Sequence, residues 1–344
     1  MRKFSFAMSK IVLCSMVLIF CANSHAEIFR NWKKITIPGA FCGNGSPYDV
    51  FYDAQSSKKL TIELMGGGVC WSAMTCYGPT ITAWAYPIPK FPIYGQFSLP
   101  LESASFVYDA SYLYLPYCTG DVHAGAHIEE YSLGVKVHHT GYTNFLKSLE
   151  YLSQKKIISF AQFDDVILYG ASAGAVGALA HAKNLDKYLQ KDAKRTLIAD
   201  SPGLHFGDQF WEKFRAPMIG DFSAAFYNMG ITIDVRTGNL AAKIGNVCDH
   251  LSNWQIALMQ GTRDVIMSAG FGGISPLEHE KLILSEQGLY RQSEGHQNCF
   301  AWIPKTYMHT FLLAPTASIS IDGVNALQFA EMVYNRTVTR NYKN

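Results

Sequence analysis

Residues 166–177, VILYGASAGAVG, constrain the fold more than any other stretch of the chain. A short apolar run, opened by Asp164-Asp165, reads as a strand of the doubly buried kind found in parallel sheets. The alanine-rich segment after it reads as a helix. Gly170-Ala171-Ser172-Ala173-Gly174 lies between the two and puts Ser172 on a sharp turn. G-x-S-x-G in that context presents a nucleophile at strained backbone angles, with small neighbours that let the turn close. The competing use is a phosphate cradle, in which Gly170, Gly174 and Gly177 open the helix of a dinucleotide-binding unit and Asp200 binds a ribose.

The rest of the chain alternates strands with helices. KLTIELM (59–65) predicts a strand ending in Gly66-Gly67-Gly68, and SYLYLPY (111–117) predicts another. GYTNFLKSLEYLSQ predicts a helix with Phe145, Leu146, Leu149 and Leu152 on one face and Thr143 or Asn144 as its cap. RTLIAD and WQIALMQG predict two further strands. The expected fold class is α/β: a mostly parallel central sheet, α/β-hydrolase-like, with helices on both faces and disulfides stabilising it. Ligands of such sheets bind at the carboxyl ends of the strands, where residues 66–68, Ser172 and Asp264 all fall. Residues 202–245 are rich in aromatics, among them Phe206, Phe210, Trp211, Phe214 and Phe222, and predict a helical cap or an outer helical layer.

The first 26 residues read as a secretory signal peptide: Arg2 and Lys3, an apolar stretch over 11–22, then Ser24 and Ala26 before the cleavage point. That apolar stretch is shorter than the roughly 20 residues a bilayer span needs, so no stable membrane anchor is expected. The expected location is secreted, extracellular or periplasmic, with residues 27–344 forming a single domain. Six cysteines remain beyond the leader, Cys42, Cys70, Cys76, Cys118, Cys248 and Cys299, and in an exported chain they predict three disulfides in any of fifteen pairings. No CxxC pair is present, which argues against structural zinc. A formal charge of +2 gives no reason to expect nucleic acid as a partner.

A serine hydroxyl needs a base, and the base an orienting acid, in the chain order Ser, acid, His. Asp264 stands just after a predicted strand, with Asp249 as the second candidate acid. His309, before a hydrophobic run, is the preferred base, and His296 is the other. His123, His127, His138 and His139 precede the serine and fall outside that order. An oxyanion needs preorganised amide donors, which Ala173 and the loop at Gly67 and Gly68 supply.

CGNGSPYDVFY (42–52), IELMGGGVCW (62–71), LPYCTGDVHAG (115–125) and GASAGAVG (170–177), in this order, resemble the pectin acetylesterase/Notum family of secreted α/β-hydrolases. The resemblance implies a triad of Ser172, Asp264 and His309 with oxyanion donors at Gly67, Gly68 and Ala173. It implies disulfides Cys42–Cys118, Cys70–Cys76 and Cys248–Cys299, and a supporting buried aspartate at Asp121. Two features depart from the family pattern: Gly68 stands where relatives often have a tryptophan, and His309 lies ten positions after Cys299 instead of a few. Family substrates run from acetyl groups on pectin to a fatty acyl group on a signalling protein. The implied function is hydrolysis of an O-acyl ester, an acetyl group on a polysaccharide first and a lipid or fatty-acyl ester second, through an acyl-enzyme that needs no metal or organic cofactor. The other readings are a non-catalytic binding module on a hydrolase fold and a nucleotide-binding oxidoreductase.

Overall fold

The computed structural model describes residues 30–77, 101, 104–132, 134–313 and 318–344. The predicted leader, residues 1–26, lies outside them. In chain order the strands are β1 (Lys33–Phe41), β2 (Pro47–Asp53), β3 (Lys59–Leu64), β4 (Ser111–Leu115), β5 (His127–Ser132), β6 (Val135–His139), β7 (Asp165–Ala171), β8 (Lys194–Asp200), β9 (Gln255–Met259), β10 (Cys299–Ile303), β11 (Ser320–Ile321), β12 (Val324–Asn325) and β13 (Tyr342–Lys343). Among the described residues, nine strands form one sheet in the order β1-β2-β4-β3-β7-β8-β9-β10-β13. β1, β2 and β4 pair antiparallel at one end, and every pairing from β4 to β13 is parallel. The expected α/β-hydrolase-like sheet is therefore present.

Apolar alternation within β7 divides the core. Val166 and Leu168 face helices Gly141–Gln154 and Ala173–Asp186. Ile167 and Tyr169 face the other layer, with Phe329 and Val333 of helix Ala326–Tyr334. Both faces of β7 are covered, which is why the strand is apolar throughout. Helix Ala173–Asp186 lies close against the sheet: a Cβ on Gly174 would stand 2.0 Å from the Leu64 carbonyl oxygen.

Register decides which residues meet. Leu64 pairs with Gly170, Ala171 with Asp200, Asp200 with Met259, and Met259 with Trp302. The residues that leave β3, β7, β8, β9 and β10 thus emerge along one edge of the sheet. The disulfides are Cys42–Cys118, Cys70–Cys76 and Cys248–Cys299. Cys70–Cys76 closes the segment directly after the glycine run of residues 66–68.

One local expectation fails. The cap of helix Gly141–Gln154 is Thr140, not Thr143 or Asn144, and its side chain makes no capping bond. The Gly141 amide donates instead to Asp121 Oδ2 at 2.6 Å. A carboxylate from a distant loop satisfies an N-terminal donor and complements the helix dipole, so local capping chemistry is not needed.

Candidate active site

Ser172 follows β7 and has φ 56° and ψ −123°, outside the conformations a non-glycine residue ordinarily takes. Its amide donates to the Asp200 carbonyl at 2.8 Å, which fixes the turn to the neighbouring strand. Ser201, after β8, and Thr310, after β10, also have positive φ, 61° and 65°. Three strained non-glycine residues at one sheet edge mark a place where geometry overrides local preference.

Residues 66–68 run beside the serine. A Cβ on Gly66 would lie 2.4 Å from the Ala171 carbonyl and 2.9 Å from Ser172 Cβ, so only glycine lets this loop pass so near. Among the described residues, the amides of Gly67, Gly68 and Ala173 have no protein acceptor. The loop is braced from behind. Tyr117 donates its hydroxyl hydrogen to the Gly68 carbonyl and accepts the Val122 amide, both at 2.8 Å. His123 Nε2 pairs with the Met65 carbonyl at 2.8 Å, and its ring lies 4.7 Å from that of Tyr117. Burial pushes the His123 imidazole down to about 4, so the ring is neutral and donates as its Nε2–H tautomer.

Asp264 is fully buried after β9. Its Oδ1 accepts the amides of Ile266 and Met267 at 3.0 Å each, and its Oδ2 accepts Gln260 Nε2 at 2.9 Å and His309 Nδ1 at 2.8 Å. A carboxylate held by four donors fixes the imidazole plane and its tautomer. Arg263 turns away from it and pairs with Glu280. His309 Nε2 is buried and, among the described residues, has no partner. The loop carrying His309 is held to β8: Thr310 N–H donates to Ser201 Oγ at 3.0 Å, and Phe311 and Leu312 N–H donate to Asp200 Oδ2 at 2.7 and 2.8 Å. No hydrogen bond joins Ser172 Oγ to His309 Nε2; the Ser172 turn and the His309 loop are each tied to Asp200–Ser201.

The other candidates lie elsewhere. Asp249 and His296 pair with each other at 3.2 Å, with 77% of the Asp249 side chain exposed. His296 precedes β10, so it stands at the sheet edge opposite Ser172. Asp200, weighed above as a ribose ligand, is fully buried and occupied by two loop amides, which closes that role. Asp121 is buried and binds Thr119 Oγ1 and the amides of His123 and Gly141, and desolvation raises its carboxyl to about 6. It clamps the loop that braces residues 66–68. Cys70, Cys76 and His139 have metal-type donor atoms within 4.8 Å of one another, but the two sulfurs are bonded as a disulfide.

Sequence reasoning passed over Tyr117 and Ser201 and weighed His123 only as a base, although Tyr117 and His123 lie inside the quoted LPYCTGDVHAG segment. It weighed Asp200 only as a ribose ligand within the competing dinucleotide reading. A carboxylate ending a buried strand beside the serine strand was the available signal.

This sheet order, with a strained serine at the exit of β7, defines an α/β-hydrolase-like protein. The chain belongs to the pectinacetylesterase family, whose model matches residues 25–210, and is by that membership a carboxylic ester hydrolase. The match takes in residues 66–68 and Ser172 and ends before Asp264 and His309. No curated protein matches the chain.

Proposed function

We propose that the protein is an exported serine deacetylase that removes an O-acetyl group from a polysaccharide such as pectin. His309, oriented by Asp264, takes the proton of Ser172 as its oxygen attacks the ester carbonyl. The amides of Gly67, Gly68 and Ala173 hold the oxyanion, each such donor being worth roughly 3 kcal/mol of barrier. The alcohol leaves with the proton from His309, and water then releases acetate from Ser172 by the same route in reverse. Residues 1–26 direct export and are removed, and the segment 202–245 caps the site.

The observation that carries this reading is the 2.8 Å contact between His309 Nδ1 and Asp264 Oδ2, on a loop tied through Asp200 to the amide of Ser172. The oxidising compartment it implies agrees with the three disulfides. The test is a series of p-nitrophenyl esters from acetate to palmitate, run beside acetylated pectin and acetylated xylan. Highest kcat/KM on acetyl esters, with labelling of Ser172 by a fluorophosphonate, is the expected result. Absence of labelling discards the serine mechanism, and a maximum at long chains discards the deacetylase assignment.

A further inference from the structure

Lys213 ends the 3-10 helix Asp208–Lys213. Its ammonium lies 5.2 Å from the ring of Trp71, 4.6 Å from Phe210, 5.9 Å from Phe214 and 5.0 Å from Phe271. These rings come from three separate segments. Trp71 follows the glycine loop, and Phe271 belongs to the π-helix Ile266–Gly272, which starts just after Asp264. Lys213 thus sits between the segment that follows the glycine loop and the one that follows Asp264, with Trp71 and Phe271 half-buried beside it. Its one hydrogen bond among the described residues goes to the Phe271 carbonyl. No carboxylate pairs with it there, whereas almost every other well-buried cation in the described chain has an acidic partner, as Arg195 has Asp186.

A partly buried cation is costly unless something compensates it. Aromatic faces offset part of that cost and leave net positive charge between the two segments. Burial pushes the Lys213 ammonium down to about 8, so it is charged at neutral pH. We propose that Lys213 is a specificity-determining residue, selecting esters whose alcohol portion carries a carboxylate, with that carboxylate completing the ion pair the protein leaves open. The inference rests on the ester hydrolysis proposed above. An acetyl group has no place for a charge, so the anion belongs to the alcohol.

The test uses the mature full-length protein with 2-, 3- and 4-acetoxybenzoate, each against its own methyl ester. The three isomers place the anion at three different distances from the reacting carbonyl. The quantity read is the ratio of kcat/KM for the charged ester to that for the neutral one. Intrinsic reactivity cancels when this ratio is compared between proteins. For at least one isomer, Lys213→Met should lower the ratio by about tenfold, Lys213→Arg should recover most of it, and added salt should lower it in the wild type. An unchanged ratio for all three isomers in Lys213→Met overturns the assignment. Should that variant fail to fold, as judged by circular dichroism, a wild-type ratio indifferent to salt overturns it. Failure of the wild type to turn over even p-nitrophenyl acetate removes the hydrolase reading and this inference with it. Turnover without any charge effect removes the inference alone.

Discussion

The carbonyl oxygen of Asp200 accepts the amide of Ser172 at 2.8 Å, while its side chain holds the loop that carries His309. One residue thereby sets the distance between the proposed nucleophile and its proposed base. A catalytic pair misplaced by about an ångström loses roughly a hundredfold in rate. Asp200→Ala removes Oδ2, the one oxygen that both loop amides share. We expect a folded protein with kcat on p-nitrophenyl acetate lowered about 10- to 100-fold. Wild-type kcat in this variant would show that the loop is held some other way.

Ser172→Ala should leave thermal unfolding within a degree or two of the wild type, since the side chain makes no hydrogen bond among the described residues. Activity on p-nitrophenyl acetate should fall by about 10³-fold or more. Residual activity near the wild-type level, in protein free of contaminating esterase, would move the nucleophile elsewhere.

Asp264→Asn keeps an oxygen for the amides of Ile266 and Met267 but turns a donor toward His309 Nδ1. The imidazole then favours the tautomer that cannot accept a proton at Nε2. A loss in kcat of roughly 10³- to 10⁴-fold is expected, with binding of a non-hydrolysable ester analogue little changed. Parallel measurements on Asp249→Asn should show activity near that of the wild type.

Gly174→Ala forces a methyl group to within 2.0 Å of the Leu64 carbonyl. Helix Ala173–Asp186 must lift from β3, moving the Ala173 amide away from the Gly67–Gly68 loop. Overpacking of this kind costs about 1–3 kcal/mol or more, although alanine is the better helix former. Urea unfolding should report that loss, and a variant as stable as the wild type would contradict the tight helix–sheet contact.

Stability should fall as pH drops from 7 to 5. His123, His139 and His181 are buried, and desolvation pushes them down to about 4, 3 and 3. Their contribution is complete above the ordinary histidine value of 6.5 and is lost as pH falls toward those folded values. Asp121 and Asp200, raised by burial to about 6, act in the opposite sense: their contribution is complete below 3.8 and is lost as pH rises through about 6. Near pH 5 the three histidines, joined by His205, which burial also pushes well down, outweigh the two aspartates, so the net effect is a loss of stability as pH falls. Urea midpoints at pH 7 and pH 5 measure it, and a higher midpoint at pH 5 would show the aspartates dominating.

What the sequence determined by itself was local. The apolar run before Gly170 and the alanines after Ser172 make β7 and its helix, and the glycines at 66 and 174 announce close approaches, because strand burial and steric clearance act over a few residues. The disulfide pairs followed from family resemblance, since spacing alone left fifteen choices. Tertiary structure decided the rest. Two acids and two histidines satisfied the same chain order, and both acid–histidine pairs form, but only Asp264 and His309 leave their strands at the edge where Ser172 stands. The Thr143 or Asn144 cap failed because Asp121, twenty residues away in the chain, reached the helix first. Sheet register and loop docking bring together groups separated by 45 to more than 100 residues, and no local propensity encodes such pairings.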